Sequence, residues 1–472
     1  MSRPRISNVR AGGRWWSGDE LEAMACAWRA AMLERIGDEN RNIAAAIPAT
    51  PAGVALFAAL TSLHVPAIML DPDGRVWHSD PPLPHGTVLV LPPSLAHLAS
   101  EAHRIGCVPY VLPDTDGRRA GPSLTLLQTP GVVVFTSGST GSPKPVFRTM
   151  KALQGAAAAR LRALGLTAGD GIVAGVSLAH GPGLSSLISS LLLEGPLALL
   201  DPIDHRAALA TLALPEFKYW RATPHFVGVL GRCTLTGPAR VPEICLLSSP
   251  VSQAVFDAFS NRFGVPLRQT YSSTETGCIA VDAAPPVAVQ PNTVGPPLPR
   301  VEIHIGDHPN VPSPSGEIGR IWVRSPWQMT GYGFPPSVAR PGDVDGWWPT
   351  RDLGVFRKDG RLVLAGRLDT CIRTRDGRLV NLAAAANGLR ELPGVRRVVV
   401  VPLDGPSGAT FGAVFECEPS ITLASLRRRL SDSLPSWSWP RKVTLVPALP
   451  VLPNGKPDRR ACLAALGDSP VR

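Results

Sequence analysis

The run Thr136, Ser137, Gly138, Ser139, Thr140, Gly141, Ser142, Pro143, Lys144 stands directly behind the apolar segment Val132 to Phe135, and no other feature constrains the chain as tightly. A short apolar run bounded by turn residues reads as a buried strand. Small residues after it let backbone N–H groups converge on phosphate oxygens, the hydroxyls add donors, and a lysine supplies a point charge. The order does not fit GxxxxGK[ST], so this is an anion loop of another kind than Walker A. A surface turn rich in Ser and Gly is the ordinary alternative, and the strand in front of this run speaks against it.

Around the loop, strand-like and helix-like segments alternate. Ser17 and Glu20 form a capping box for a helix whose face carries Leu21, Met24, Ala25, Trp28 and Met32. A helix-like stretch from Ala52 leads into Val65 to Leu70. Strand Thr87 to Leu91, helix Ser94 to Ile105 and strand Cys107 to Leu112 follow. Helix Leu184 to Leu193, strand Leu197 to Leu200 and helix Val251 to Phe263 continue the series, which predicts parallel sheets with helices on their faces. After Gly295 the texture changes to short antiparallel strands: Val301 to Ile305, Ile318 to Val323 and Arg361 to Ala365. Beyond Asp369 lies a compact α+β set, with strands Val395 to Leu403, Thr410 to Glu416 and Val443 to Val446 and a helix carrying Leu423, Leu426, Leu430 and Leu434.

A net charge of +10 raises nucleic acid as a partner, but the positive charge is nearly all arginine and is spread along the chain. Clustered basic and aromatic residues are not found, so no nucleic-acid partner is expected. The eight cysteines form no CxxC pair, which signals neither zinc nor a disulfide framework and leaves buried free thiols. The longest apolar stretch, Leu184 to Leu200, contains Glu194, Gly195 and Pro196, so no membrane span is expected. Residues Arg3 to Trp16 lack the apolar core of a secretory signal, and a cytosolic protein is the expectation. A serine hydrolase would need a GxSxG elbow, which is missing.

The glycine loop resembles the phosphate-binding signature of the adenylate-forming superfamily, which includes acyl-CoA synthetases, carrier-protein adenylation domains and luciferases. Further stretches resemble that family's motifs in the family's order. They are Tyr271, Ser272, Ser273, Thr274, Glu275; Thr350, Arg351, Asp352; Gly366, Arg367, Leu368, Asp369; and Pro450 to Arg459 with Lys456. The resemblance runs from about Ala52 to Arg459. It implies a large N-terminal domain, 1–368, of mixed sheets with flanking helices, and a small α+β lid, 369–472, pivoting at Asp369.

The same resemblance implies the roles. Thr136, Ser137, Gly138, Ser139, Thr140, Gly141 and Lys144 would cradle phosphates. Tyr271 would stack on adenine, Thr274 would bond the α-phosphate, and Glu275 would hold Mg²⁺ against the phosphates of ATP. Asp352 and Arg367 would engage the ribose, and Lys456 would be the catalytic lysine. His180, Thr223, Ser248, Ser249 and Ser272 would line the acid pocket. The implied activity turns a carboxylic acid and ATP into acyl-AMP and pyrophosphate, then passes the acyl group to the thiol of CoA or of a separate acidic carrier protein. The stretch Tyr271 to Ala280 looks most like ligases of aryl-polyene and pigment pathways, which points toward an aromatic acid, with a medium acyl acid the alternative. Arg351 and Ser272 depart from the family's glycines, and Arg373, Leu382 and Ala386 depart from its pattern after the hinge. A degenerate, non-catalytic binding module is the rival reading.

Overall fold

The computed structural model describes residues 4–36, 42–73, 83–115, 124–136, 143–201, 204–232, 240–248, 251–311, 316–368, 370–373, 379–403, 409–433, 439–450 and 458–467. Two eight-stranded sheets dominate it. The first runs, edge to edge, Gly277–Val281, Leu267–Ser273, Ile244–Leu247, Phe217–Ala222, Gly171–Ala174, Leu197–Leu199, Val9–Ala11, Arg14–Trp16. Its six inner strands pair in parallel. The second runs Ser337–Ala339, Gly331–Phe334, Pro145–Thr149, Gly131–Phe135, Ala67–Leu70, Ile43–Ala46, Val88–Leu91, Val108–Val111.

Why the inner strands Ile43–Ala46, Ala67–Leu70, Val88–Leu91, Gly131–Phe135, Gly171–Ala174 and Leu197–Leu199 are apolar, with no alternation, follows from where their two faces go. Successive side chains point to opposite faces. Ile172 and Ala174 of the first sheet join one core with Ala45 and Val134 of the second and with Phe57 and Leu187, whereas Val173 turns to the far side and packs with Trp220 and Phe259. Val133 likewise turns away from the shared core, toward Leu89 and Phe147. The helices Pro51–Thr61, Met150–Ala163 and Gly181–Leu193 contribute to the shared core. Each sheet therefore has both faces covered.

The capping box forms as read from the sequence: the Ser17 amide donates to Glu20 Oε2 at 2.7 Å, and the Glu20 amide donates to Ser17 Oγ at 3.1 Å. Leu21, Ala25, Trp28 and Met32 of the helix Gly18–Ile36 are buried. The helix expected from Ser94 to Ile105 is instead a 3₁₀ turn, Pro93–Leu98, broken at Leu95 and followed by Ala99–Arg104.

A four-stranded antiparallel sheet, Glu302–Ile305, Gly319–Arg324, Trp348–Phe356, Leu362–Arg367, leads to the smaller C-terminal domain. That domain has a three-stranded sheet, Val395–Leu403, Thr410–Cys417, Lys442–Leu445, and its own core around Phe411, Phe415, Leu426 and Leu430. Architecture is thus the mixed α/β body and smaller α+β domain expected from the sequence. Asp369, the expected pivot, and Leu434 lie outside the described residues, as does Cys233. Among the described residues the other seven cysteines form no disulfide. No helix among the described residues is long and apolar enough to cross a membrane.

Candidate active site

The loop that opened the argument joins two antiparallel strands rather than a strand and a helix. Phe135 pairs with Pro145, the Thr136 amide donates to the Lys144 carbonyl at 3.0 Å, and the Lys144 amide reaches Thr136 Oγ1 at 3.3 Å. This closes the base of the loop and leaves Lys144 exposed beside it. Ser137, Gly138, Ser139, Thr140 and Gly141 lie outside the described residues.

Across from it, the strand Leu267–Ser273 carries Tyr271 and turns back into Gly277–Val281, with Thr274 and Glu275 in the turn. Ser273 Oγ accepts from the Thr276 amide at 3.1 Å and fixes the turn. Gly277 has φ +77°, and a Cβ there would lie 2.8 Å from an Arg148 nitrogen, so glycine answers both the conformation and the close approach.

Two sets of contacts organise the charged residues. In one, Tyr271, 5% exposed, donates its hydroxyl to Asp352 Oδ2 at 2.7 Å, and Arg367 stands 3.6 Å from Asp352 Oδ1. Asp352 and Arg367 are direct partners across neighbouring strands, which explains their meeting. Burial, and then the Asp352 charge, raise the Tyr271 phenol well above its usual pKa, so it remains a donor. In the other, Tyr332 donates to Glu275 Oε1 at 2.9 Å while its ring faces the Lys144 ammonium at 5.5 Å. Beneath both lies Arg148, 7% exposed, donating to the Trp327 carbonyl at 2.9 Å. Burial lowers its pKa to about 10 against the opposing pull of Cys278 and Glu275.

Four of the residues expected to line the acid pocket, His180, Thr223, Ser248 and Ser272, lie at or beyond the carboxyl ends of strands of the first sheet. His180 follows the strand Gly171–Ala174, Thr223 follows Phe217–Ala222, Ser248 follows Ile244–Leu247, and Ser272 is the last residue but one of Leu267–Ser273. The carboxyl ends of neighbouring parallel strands are where open α/β sheets bind ligands. Thr223 spends its hydroxyl on the Phe226 amide as a helix cap, at 3.4 Å. Ser248 and Ser272 are exposed. His180, 48% exposed, pairs through Nε2 with Asp71 Oδ2 at 2.9 Å, an aspartate that the sequence did not single out. Burial raises the Asp71 carboxyl, but hydrogen bonds from His180, Ser177 and the Asp73 amide outweigh it and hold it below its usual pKa. Ser249 and Lys456 lie outside the described residues.

Among the described residues no cluster of three or more His, Cys, Asp or Glu side chains could hold a metal by itself. A single carboxylate, Glu275, with Oε1 already taken by Tyr332, fits a Mg²⁺ that draws its other ligands from nucleotide phosphates and water. Sequence reading missed Tyr332, Arg148 and Asp71. A signal existed for Arg148, a charge in the strand Pro145–Thr149 where the pattern calls for an apolar residue, and for Tyr332, one of only four tyrosines.

A family model described as AMP-binding enzyme matches residues 110–333. A fatty acid–[acyl-carrier-protein] ligase of Mycobacterium marinum is 28% identical over 389 residues, covering 75% of this chain and 71% of that one. A probable non-canonical nonribosomal peptide synthetase of Salinispora arenicola is 29% identical over 383 residues, which span 76% of this chain but only 5% of that protein. The structure of the amide bond synthetase McbA from Marinactinospora thermotolerans is 26% identical, with a TM-score of 0.78 over 98% of this chain and 97% of that one.

Proposed function

We propose that the chain, whose residues 110–333 match the AMP-binding enzyme family model, is an adenylate-forming enzyme that uses ATP with Mg²⁺ to activate a carboxylic acid as its acyl-AMP and transfers the acyl group to a phosphopantetheine thiol, of CoA or of a separate acidic carrier protein. The observation that carries this reading is the convergence of two clusters on one strand and its turn: Tyr271 with Asp352 and Arg367, and Glu275 with Tyr332 and Lys144.

In the first half-reaction a carboxylate oxygen attacks the α-phosphorus and the bond to the β-phosphate oxygen breaks, releasing pyrophosphate. Both reactants are anionic, so the site must neutralise charge. Lys144 supplies one positive charge at the loop, and Lys456 supplies another from the C-terminal domain. Bound Mg²⁺ would offset phosphate charge from Glu275. Asp352, held by Tyr271, would accept from ribose hydroxyls, with Arg367 beside it. Tyr271 is anchored through its hydroxyl, so an adenine would meet the ring and not the oxygen.

In the second half-reaction the thiol sulfur attacks the acyl carbonyl carbon, AMP leaves, and the thiol proton is lost. Domain alternation about Asp369, with 1–368 and 369–472 as the moving bodies, would swap Lys456 out for this step. Thr223, Ser248, Ser249, Ser272 and His180 would line the acid.

An amine acceptor is a second reading, favoured by the 26% identity to an amide bond synthetase over nearly the whole chain. The experiment is pyrophosphate release from ATP·Mg²⁺ across aromatic and aliphatic acids, followed by product analysis with CoA, carrier proteins and amines. Acid-dependent release is expected. ATP binding without release over the whole panel would replace the reading by a non-catalytic binding module.

A further inference from the structure

Between the loop lysine and the turn carboxylate stands a side chain that neither motif contains. Tyr332 lies on the strand Gly331–Phe334, which pairs antiparallel with Pro145–Thr149, the strand leaving the phosphate loop: Tyr332 stands opposite Val146 and Gly331 opposite Phe147. Its hydroxyl donates to Glu275 Oε1 at 2.9 Å, and its ring lies 5.5 Å from Lys144 Nζ. The Met329 amide, three residues earlier, donates to the Glu275 carbonyl at 2.6 Å. The ring meets Trp348 edge-on at 5.9 Å, on the strand that carries Asp352.

We propose that Tyr332 is a positioning residue that sets the phosphate loop and the metal-holding carboxylate in one register, orienting Glu275 so that Oε2 faces the cation and holding Lys144 over its ring. This rests on the reading of Glu275 as the Mg²⁺ ligand. The chemistry fits each half of the side chain. A phenol donates one hydrogen bond, which occupies one carboxylate oxygen and fixes the rotation of the group. The ring face attracts an ammonium within about 6 Å. Glu275 and Lys144 are brought together by a strand pairing that neither of them belongs to.

The two halves are separable by substitution. Tyr332→Phe keeps the ring and removes the hydroxyl; Tyr332→Leu removes both. Binding of α,β-methylene-ATP is measured by calorimetry, with EDTA and across a Mg²⁺ titration, together with Mn²⁺ binding to the nucleotide complex by electron paramagnetic resonance. Loss of a partner that orients a metal ligand costs about 10- to 100-fold in metal affinity. Tyr332→Phe is expected to raise the Mg²⁺ and Mn²⁺ concentrations for half-saturation by that factor while metal-free nucleotide binding stays unchanged. Tyr332→Leu is expected to weaken metal-free binding as well. Tyr110→Phe, which loses a hydroxyl contact to the Ala31 carbonyl far along the chain, serves as the control and should change neither.

A Tyr332→Phe protein with the parent's metal titration overturns the proposal. So does equal weakening with and without metal, the mark of a merely structural role. A parent that binds the nucleotide with no dependence on Mg²⁺ overturns both the proposal and the reading of Glu275, whereas a metal-dependent parent with an unaffected Phe variant overturns the proposal alone.

Discussion

Replacing Arg148 by methionine should separate stability from activity. Arg148 is 7% exposed, and its Nε has no hydrogen-bond partner among the described residues. The fall of its pKa from the ordinary guanidinium value to about 10 reports a bias against the charged form of about 3 kcal/mol, at 1.36 kcal/mol per pKa unit. Methionine, similar in length and apolar, removes that cost. It also strips the Trp327 carbonyl of its 2.9 Å partner, and a buried acceptor left unsatisfied costs about 1–3 kcal/mol. The two effects nearly cancel, so stability should stay level or rise by up to about 2 kcal/mol, as replacing buried charge by packed apolar groups often allows. Activity should not survive as well. Arg148 holds the segment that reaches Met329, and the Met329 amide holds Glu275. A displacement of about 1 Å at a reacting site costs on the order of 10²-fold. Equilibrium urea unfolding and acid-dependent pyrophosphate release, measured on the same preparation, test this. A variant destabilised by more than about 2 kcal/mol and fully active would refute the reasoning on both counts.

Three further outcomes are expected. Gly277→Ala forces a left-handed φ on alanine and drives its Cβ to 2.8 Å from an Arg148 nitrogen, so urea unfolding should show a loss of about 1–3 kcal/mol; the loss should shrink in the Gly277→Ala, Arg148→Met double variant, whose coupling a double-mutant cycle reads. Asp282 is fully buried, and burial raises its carboxyl pKa against the help of the Ala284 amide and Arg361. Its folded pKa lies above the unfolded one, so its contribution is intact below the unfolded pKa and is lost as pH rises through the folded pKa. Asp282→Asn should therefore be more stable than the parent near neutrality, with the difference vanishing in acid, and the reverse trend would show that its arginine neighbours win. Lys456→Ala should slow acyl-AMP formation about 10²- to 10³-fold yet leave thioester formation from supplied acyl-AMP intact; equal slowing of both steps would reduce Lys456 to a residue that holds the C-terminal domain in place.

How much of this was legible in the sequence depends on the range of each interaction. Ser17 and Glu20 meet three residues apart, one helical turn, and the capping box was readable because a helix places those positions together. The unbroken apolar runs within Val65 to Leu70, Thr87 to Leu91 and Val132 to Phe135 announced sheets covered on both faces, since a strand's alternation is lost only when both sides are dry. Resemblance to a known family's motifs, in that family's order, pointed to Glu275, Asp352, Arg367 and the loop at Thr136.

Tertiary structure alone decided who touches whom. Tyr332 reaches Glu275 across 57 positions, Tyr271 reaches Asp352 across 81, and Arg148 reaches the Trp327 carbonyl across 179. No periodicity spans such distances, because they are fixed by which strands pair and in what register. A sequence records the residues that a local turn or repeat must have. The partner that completes a buried charge is chosen by the packing of strands far apart in the chain, which is why the contacts of Tyr332, Arg148 and Asp71 emerge only once the sheets are assembled.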